Sequence, residues 1–120
     1  MQQTKFLANK IKRQIKTNGQ TFNFKRYKVD KYHQVSDEIE SEFSIEGIFH
    51  TTNTYVRNEG KDAATFVKKQ QPMILCMFED GNNVQINDIV SISGNDYVVN
   101  NKNNINDFDA AFDLSLEMKI

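Results

Sequence analysis

The stretch Pro72-Met-Ile-Leu-Cys-Met-Phe78 opens the part of the chain that decides the fold, since six consecutive apolar residues follow the single proline. Such a run is too short for a helix of ordinary length and indicates a strand that is buried on both faces. A turn at residues 79–83 ends this strand, and residues 84–92 bring the chain back. A tight reversal follows at Ser93-Gly-Asn-Asp96, where the residues tolerate positive φ. Residues 72–120 therefore predict a meander of four strands.

The last segment of the chain alternates in polarity. Every second residue is apolar and the residues between are polar, the apolar set being Phe112, Leu114, Leu116, Met118 and Ile120. This alternation is typical of a strand with one buried face. Residues 97–99 predict the strand before it, and the Asn-rich residues 100–106 predict a solvated loop between the two.

Composition limits what this meander can belong to. The 120 residues are 38% hydrophobic, with nine Phe and no Trp, which suits one modest core and a single β-rich domain over residues 1–120. Cys76 lies inside the apolar run, so we expect a buried thiol and not a reactive one. The apolar run of six residues is far too short for a membrane span, and we expect a protein that is assembled in a cytosol.

Charge is distributed unevenly along the chain. Residues 1–31 contain nine Lys or Arg and one acid, whereas residues 32–120 contain six Lys or Arg and fifteen acids. A basic head on an acidic body indicates contact with nucleic acid, or head-to-tail contact between opposite charges of neighbouring subunits. The charge pattern alone does not choose between them.

Residues 1–19 predict an N-terminal helix with its cap, since Asn18-Gly19 is a typical helix stop. The predicted helix, residues 4–16, has an apolar side and a basic side. The first consists of Leu7, Ile11, Gln14 and Ile15, and the second of Lys5, Asn9, Lys12, Arg13 and Lys16. We favour a helix that packs on its own barrel. The alternatives are a helix that lies on phosphate, on anionic lipid or in a partner's groove.

Two further strands are predicted before the meander, at residues 20–28 and 42–51. In the first, Phe22 and Phe24 share one face and Arg26 continues it outward. Basic residues between aromatic ones can bind single-stranded nucleic acid, although half-buried strands show the same pattern more often. In the second, Gly47 predicts a bulge.

An acidic run precedes the second strand and consists of Asp37, Glu38, Glu40 and Glu42. Carboxylates at this spacing can form a metal site or an acid–base pair, but the run has no glycine for a sharp cation-binding turn. It predicts a solvated hairpin loop. His33 and His50 have no ligand partner at suitable spacing and are predicted to be rim residues.

No catalytic, phosphate-binding or zinc-binding signature occurs in the sequence. The sequence therefore predicts a protein that is not an enzyme and that has no metal and no cofactor. The best functional candidate is the long polar connection at residues 52–71, because compact domains seldom keep such loops without a use. Within it, residues 62–70 could form a short helix with Phe66 as its apolar anchor.

Several segments follow one another in an informative order. They are Phe22-Asn-Phe-Lys-Arg-Tyr27, a second strand at residues 43–49, the long loop, an acidic turn with a short strand, a Gly turn and an aromatic-led strand at residues 84–99, and the last strand at residues 112–118. This order, over most of the chain, resembles the head-closure or head-tail stopper proteins of tailed bacteriophages. The usual Gly-Asp of the acidic turn is here Asn87-Asp88, and Asn can adopt the left-handed conformation that Gly supplies.

The resemblance implies a small β-barrel of about six antiparallel strands, with a short N-terminal helix and a long loop between strands 2 and 3. It implies a virion protein, assembled in the host bacterial cytoplasm, that forms a ring of itself (a dodecamer or a hexamer) below the portal-adaptor protein. Double-stranded DNA would pass through the ring and a tail protein would attach to it. No membrane is involved.

The resemblance also implies roles for particular residues. The loop at residues 52–71 would line or plug the DNA channel, with gate contacts from Tyr55, Arg57, Lys61, Phe66, Lys68 and Lys69. Ring contacts would use the separated charges, Lys5, Lys12, Arg13 and Lys16 on one side and Asp37, Glu38 and Glu40 on the other.

Two alternatives stay open at this stage. One is a tail-completion or tail-terminator protein, and the other is a small barrel that binds nucleic acid through Phe22, Phe24, Lys25, Arg26 and Tyr27. The acidic body argues against the second, because it would repel a phosphate backbone.

Overall fold

The computed structural model describes residues 2–29, 31–32, 34–57, 66–105 and 108–119. The chain forms a single, mainly β domain, a closed antiparallel barrel of six strands in the order β1-β2-β3-β6-β5-β4, with a short N-terminal helix. This confirms the predicted fold class. The elements are α1 (Gln2–Asn18), β1 (Gln20–Val29), β2 (Val35–Arg57), β3 (Phe66–Met77), α2 (Phe78–Asn83), β4 (Ile89–Ile92), β5 (Asn95–Asn104) and β6 (Ala111–Met118).

The barrel interior is filled by side chains at alternate positions of each strand. Phe22 and Phe24 of β1 point inward, as predicted, and the Phe24 ring stacks on Phe43 with 5.4 Å between centroids. In β6 the inward alternation holds for Leu114 and Leu116. Met118 was predicted on this face but is 51% exposed, because β6 ends there.

Helix α1 packs on the outside of its own barrel. Ile11 and Ile15 are buried against Ala111, beside the outward-facing Ile48 and Leu75. The favoured packing of the predicted helix is therefore confirmed. Gln14, which was predicted on the apolar side, is exposed instead.

Strand connectivity differs from the predicted meander. Strand β3 pairs with β6 and not with β4, so β4, β5 and β6 are the part of the predicted four-strand meander that forms. The predicted turn at residues 79–83 is part of helix α2, which carries the chain from β3 towards β4. The predicted strand at residues 84–92 shrinks to β4, because Asp88 bonds the backbone N–H of Gln85 in a turn and Ile86 is 47% exposed.

The Asn-rich stretch is not a loop over its described part. Residues up to Asn104 belong to β5, where Asn101 lies opposite Ser115 and Asn103 opposite Asp113. The side-chain amide of Asn103 also donates to the Asp113 carbonyl at 3.1 Å. Pairing with β6 therefore overrides the weak strand propensity of asparagine.

Strand β2 begins earlier than predicted and contains the acidic run. Glu42 lies opposite Lys25 of β1, so the predicted acidic loop is wrong. Gly47 is not a bulge either, since the ladder keeps its register there. A Cβ at Gly47 would lie 2.6 Å from the carbonyl oxygen of Leu75, so the glycine permits a close approach of two strands.

Candidate functional site

Strands β2 and β3 continue past the barrel as a two-stranded ribbon, which we call the arm (residues 51–57 and 66–72). Its residue pairs run from Thr51 opposite Pro72 to Arg57 opposite Phe66. The ladder of β2 with β1 ends at Gly47, and the ladder of β3 with β6 ends at Met73. The two arm strands thus pair only with each other.

The arm corrects the prediction of a long loop at residues 52–71. Residues 52–57 and 66–71 are strand, so the predicted helix at residues 62–70 is wrong where it is described, and residues 58–65 lie outside the described part. Thr, Val, Tyr and Phe are frequent in these strands and favour extended backbone. Polar composition indicated a loop. These residues are polar because the ribbon does not cover the barrel core.

Pro72 marks the point at which β3 leaves β6. Proline has no N–H to donate to a neighbouring strand, and the β3–β6 ladder stops at Met73 opposite Ser115. The side-chain amide of Gln71 donates to the carbonyl oxygen of Leu116 at 2.5 Å instead. The side chain of Gln71 therefore bonds β6 at the point where β3 separates from it.

The arm explains the elongated shape of the domain. The Cα radius of gyration is 16.5 Å, with extents of 49 × 40 × 27 Å. A compact domain of this length would have a radius of gyration of about 14 Å. We infer from the difference that the arm projects from the barrel.

The predicted channel residues are on the arm where they are described. Tyr55 lies opposite Lys68, and Arg57 opposite Phe66. Lys69 lies opposite Thr54. Lys61 is outside the described residues.

A cleft of about 630 Å³ opens at the base of the arm, where β3 diverges from β6. Its apolar floor is formed by Phe49, Tyr97 and Leu116, and the rings of Phe49 and Tyr97 lie 6.1 Å apart. Gln70 and Glu117, which are both exposed, also line it. The cleft was not predicted, because it arises from two strands that separate in space.

On another side of the barrel, a partly buried ion pair closes a short seam. The ladder between β1 and β4 has only two residue pairs, which end at Lys25 opposite Ile89. Arg26 follows at once and donates from Nε and Nη2 to the two carboxylate oxygens of Asp88, both at 2.9 Å. Nη2 also donates to the carbonyl of Asn83 at 2.8 Å. We call this arrangement the clamp.

The clamp positions the turn before β4. Asp88 is 1% exposed, and its carboxylate also accepts the N–H of Gln85 at 2.8 Å. The hydrogen bond that Arg26 donates to Asp88, more than any other cause, raises the pKa of Arg26 above its ordinary value. Asn87 has φ +79°, which confirms the predicted left-handed conformation. The position of Arg26 on the same strand face as Phe22 and Phe24 was the one signal in the sequence that it needed a partner.

The predicted interface charges lie on two separate surfaces. Lys5, Lys12, Arg13 and Lys16 are exposed on α1, and Glu38 and Glu40 are exposed on β2. Glu38 lies 3.4 Å from Lys28, and within the described residues no ion pair joins the two surfaces. The side chain of Asp37 is outside the described part. The charges of both surfaces are therefore accessible to solvent.

His50 has an acidic neighbour that the sequence did not predict. Its Nε2 lies 2.8 Å from Oδ1 of Asp113, across β3 on the outer face of the barrel. His33 is outside the described residues. In the part of the chain that the structure describes, no group of His, Cys, Asp and Glu could hold a metal ion.

Burial decides two predictions from the sequence, one about the Cys76 thiol and one about the aromatic residues of β1. Cys76 is fully buried, and burial raises the pKa of its thiol to about 12, which confirms an inert cysteine. Phe22 and Phe24 are 2% and 0% exposed, and Arg26 is held in the clamp. The residues proposed to stack on nucleic-acid bases therefore form no common surface.

A comparison with protein-family models and with curated proteins gives no match to this chain. Among the helical residues that the structure describes, no segment is long and apolar enough to cross a membrane.

Proposed function

We propose that this chain is a structural virion protein of a tailed phage or prophage, a head-closure component of the head–tail connector. It forms a ring below the portal-adaptor protein, retains packaged DNA and offers a surface for tail attachment, without catalysing a reaction. The arm is the observation that carries this proposal. The arm is formed by the adjoining ends of the second and third strands. This is the position of the channel segment in the head-closure proteins that the sequence resembles.

The geometry of the arm suits a gate. Its seven residue pairs span roughly 20 Å at about 3.3 Å per residue. A paired ribbon keeps its tip at a defined distance from the barrel, whereas an open loop of the same length samples many positions. Arms that project from several subunits of one ring would converge near its axis.

The charges of the arm also suit a channel through which DNA must slide. The arm strands carry Arg57, Lys68 and Lys69 and no acid. A dense ring of cations would hold phosphate tightly and slow the passage of DNA. A few cations per subunit can contact phosphate at the gate and still release it.

The exposed charges support ring formation. The basic face of α1 and the acidic beginning of β2 belong to different surfaces of one chain, so each can contact the opposite surface of a neighbour. Complementary charges at such contacts set the register between subunits and disfavour wrong partners. A structural protein that grips neighbours on two sides needs this arrangement.

The proposal is tested by shortening the arm in assembled particles. Residues 55–68 are replaced by Asn-Gly, which closes the ribbon with a two-residue turn. Particles built with this variant should contain soluble connector protein but lose packaged DNA, seen as nuclease sensitivity of the genome. A matched control replaces only residues 58–65 by a Gly-Ser segment of equal length, which keeps the reach of the arm.

The outcomes separate two virion roles. Loss of DNA with the short arm, and partial or full retention with the control, supports a gate. Particles that retain DNA but fail to join tails indicate a tail-completion protein instead. Full nuclease protection together with normal tail joining would remove the gate from the arm.

A further inference from the structure

The outer face of helix α1 carries an exposed aromatic side chain among cations. Phe6 is 73% exposed, and Lys10 and Arg13, which follow one and two turns later on the same side of the helix, are exposed too. Residues 1–29 contain no acid, and no ion pair of the described chain includes a residue of α1. An aromatic side chain beside cations that lack a partner has the chemistry of an interface anchor.

A groove of about 380 Å³ lies beside the short seam between β1 and β4, and we call it the seam groove. Two of its lining residues are large apolar side chains that remain exposed, Val29 at 56% and Ile86 at 47%. Isolated exposed apolar residues are common on protein surfaces, but neighbours that line one concave surface mark an interaction site. The seam groove therefore suits an apolar side chain.

The charge of the seam groove that has no partner is negative. Of the charged residues that line it, Arg26 and Asp88 are paired in the clamp, and Nζ of Lys119 lies 5.9 Å from the centre of the Tyr27 ring. Glu40 is exposed and, within the described residues, has neither an ion pair nor a ring contact. The hydrogen bond to Asp88 is the main cause that raises the pKa of Arg26, and the charge of Glu40 adds to it, so the Glu40 carboxylate is close to the groove. A cationic partner complements this charge.

Helix α1 and the seam groove lie on opposite sides of the barrel. The helix packs on Leu75 and Met77 of β3 and on the two strands beside it, at Ile48 of β2 and Ala111 of β6. The groove borders β1 and β4. In the closed order β1-β2-β3-β6-β5-β4, β3 and β4 are three steps apart in either direction. The helix of one chain therefore does not reach the groove of the same chain.

We propose that helix α1 of one copy docks in the seam groove of a second copy. The ring of Phe6 packs between Val29 and Ile86, and Lys10 lies against Glu40. Each copy offers its helix to one neighbour and its groove to the other, and a heterologous contact of this kind generates a ring when its rotation closes. This inference rests on the self-association that the proposed function requires, and it names the two surfaces that make the contact.

Cysteine cross-linking of the full chain tests the contact without removing its anchor. One variant carries Asn9→Cys, at an exposed position one turn from Phe6, and the other carries Gln85→Cys, in the lining of the groove. The two are mixed in equal amounts and treated with a short bis-maleimide. The native Cys76 stays silent because it is fully buried and burial raises its pKa to about 12. The matched control mixes Asn9→Cys with Glu46→Cys, an exposed position on the α1 side of the barrel.

Cross-linked dimer should form in the first mixture and stay at the level of the single variants in the control. Equal yields in both mixtures, or no dimer in either, would overturn the contact. A chain that carries both Asn9→Cys and Gln85→Cys should give a ladder of multimers, because each copy then links to two neighbours. A ladder that stops at the dimer would overturn the head-to-tail arrangement.

Truncation of the anchor tests the role of the ring. Phe6→Ala should weaken self-association roughly 30-fold, the loss expected when an aromatic anchor is removed from an interface. Tyr32→Ala truncates another exposed aromatic residue (71%) outside the contact and should leave self-association unchanged. Sedimentation velocity over a dilution series measures both variants. An equal effect of the two substitutions would show that Phe6 is not the anchor.

A charge exchange tests the register of the contact. Lys10→Glu and Glu40→Lys should each weaken self-association by up to about fivefold, as rim charges do. A chain that carries both substitutions should regain the original strength, since each contact again joins opposite charges. Failure of the double variant to recover would show that the two residues do not face each other.

The failure of this inference and that of the proposed function can be distinguished. Particles that retain DNA through the arm but give no cross-link between helix and groove would remove the contact and leave the head-closure role. Cross-links in a protein whose short-arm particles protect their DNA and join tails normally would support the contact and remove that role.

Discussion

The barrel wall and the arm share the strands β2 and β3 but differ in what holds them together. In the wall, each strand has neighbours on both sides and an inner face in the core, where Ile45 and Ile74 are almost fully buried. In the arm, the same strands pair only with each other. Burial of apolar side chains is the main source of stability, and an isolated two-stranded ribbon is at best marginally stable. The wall therefore specifies the fold, and the arm is free to serve function.

The largest effect should come from a cavity in the wall. Leu114 is fully buried in β6, and Leu114→Ala should lower the free energy of unfolding by about 2–5 kcal/mol through lost burial and the cavity that remains. Urea unfolding followed by circular dichroism measures the change. Glu117→Ala, exposed on the same strand, is the control and should stay within about 0.5 kcal/mol. A loss well below this range for Leu114→Ala would mean that the wall is loosely packed.

A somewhat smaller loss is expected at the clamp, which completes the wall where pairing is short. Arg26→Ala leaves the buried Asp88 carboxylate without its cation and should cost about 3 kcal/mol, the lower end for a broken buried pair, because the Arg26 side chain keeps 23% exposure. The neighbouring exposed Lys25→Ala is the control. A double-mutant cycle with Asp88→Ala should give a coupling of about 1–3 kcal/mol. Additive effects of the two substitutions would show that the clamp is not a stabilising unit.

The exclusion of water from the barrel wall should also make the free energy of unfolding depend on pH. Burial raises the pKa of Cys76 from 9.0 to about 12, so above pH 9 the unfolded chain releases this proton before the folded one. The stability present below pH 9 is then lost as the pH rises towards 12, by up to about 1.4 kcal/mol per unit. Cys76→Val removes this contribution, so the wild-type free energy of unfolding should fall more steeply with pH than that of the variant. Equal slopes would mean that water reaches the thiol.

The same contrast explains which parts of the fold the sequence could predict. The inward alternation of Phe22 and Phe24, and of Leu114 and Leu116, is a local pattern that a buried sheet face imposes, and it was predicted correctly. The left-handed Asn87 was also predicted, because its turn is local. The extent of β5 was missed, because its asparagines become strand only through pairing with β6.

The functional features depend on longer-range relationships. The two residues of the clamp are 62 positions apart in the chain, so nothing local connects Arg26 with Asp88. The arm was placed correctly between the second and third strands, but its polar composition indicated a loop, since pattern reasoning expects every strand to cover a core. The cleft depends on the divergence of β3 from β6 at Pro72. The sequence shows this proline, but it does not show that β6 is the strand from which β3 separates there.

The smallest effect on stability should come from removal of the outer three residue pairs of the arm together with residues 58–65. Replacing residues 55–68 by Asn-Gly should change the free energy of unfolding by no more than about 1 kcal/mol, because the removed pairs contact no third strand and a tight turn offsets lost hydrogen bonds through a smaller loop-closure entropy. Urea unfolding of the short-arm variant beside Leu114→Ala measures the contrast directly. Gln71 and Pro72 stay in place, so the base of the arm and its bond to Leu116 are retained. A loss above about 2 kcal/mol would show that the arm packs on the barrel, and its part in a gate would then need a separate release step.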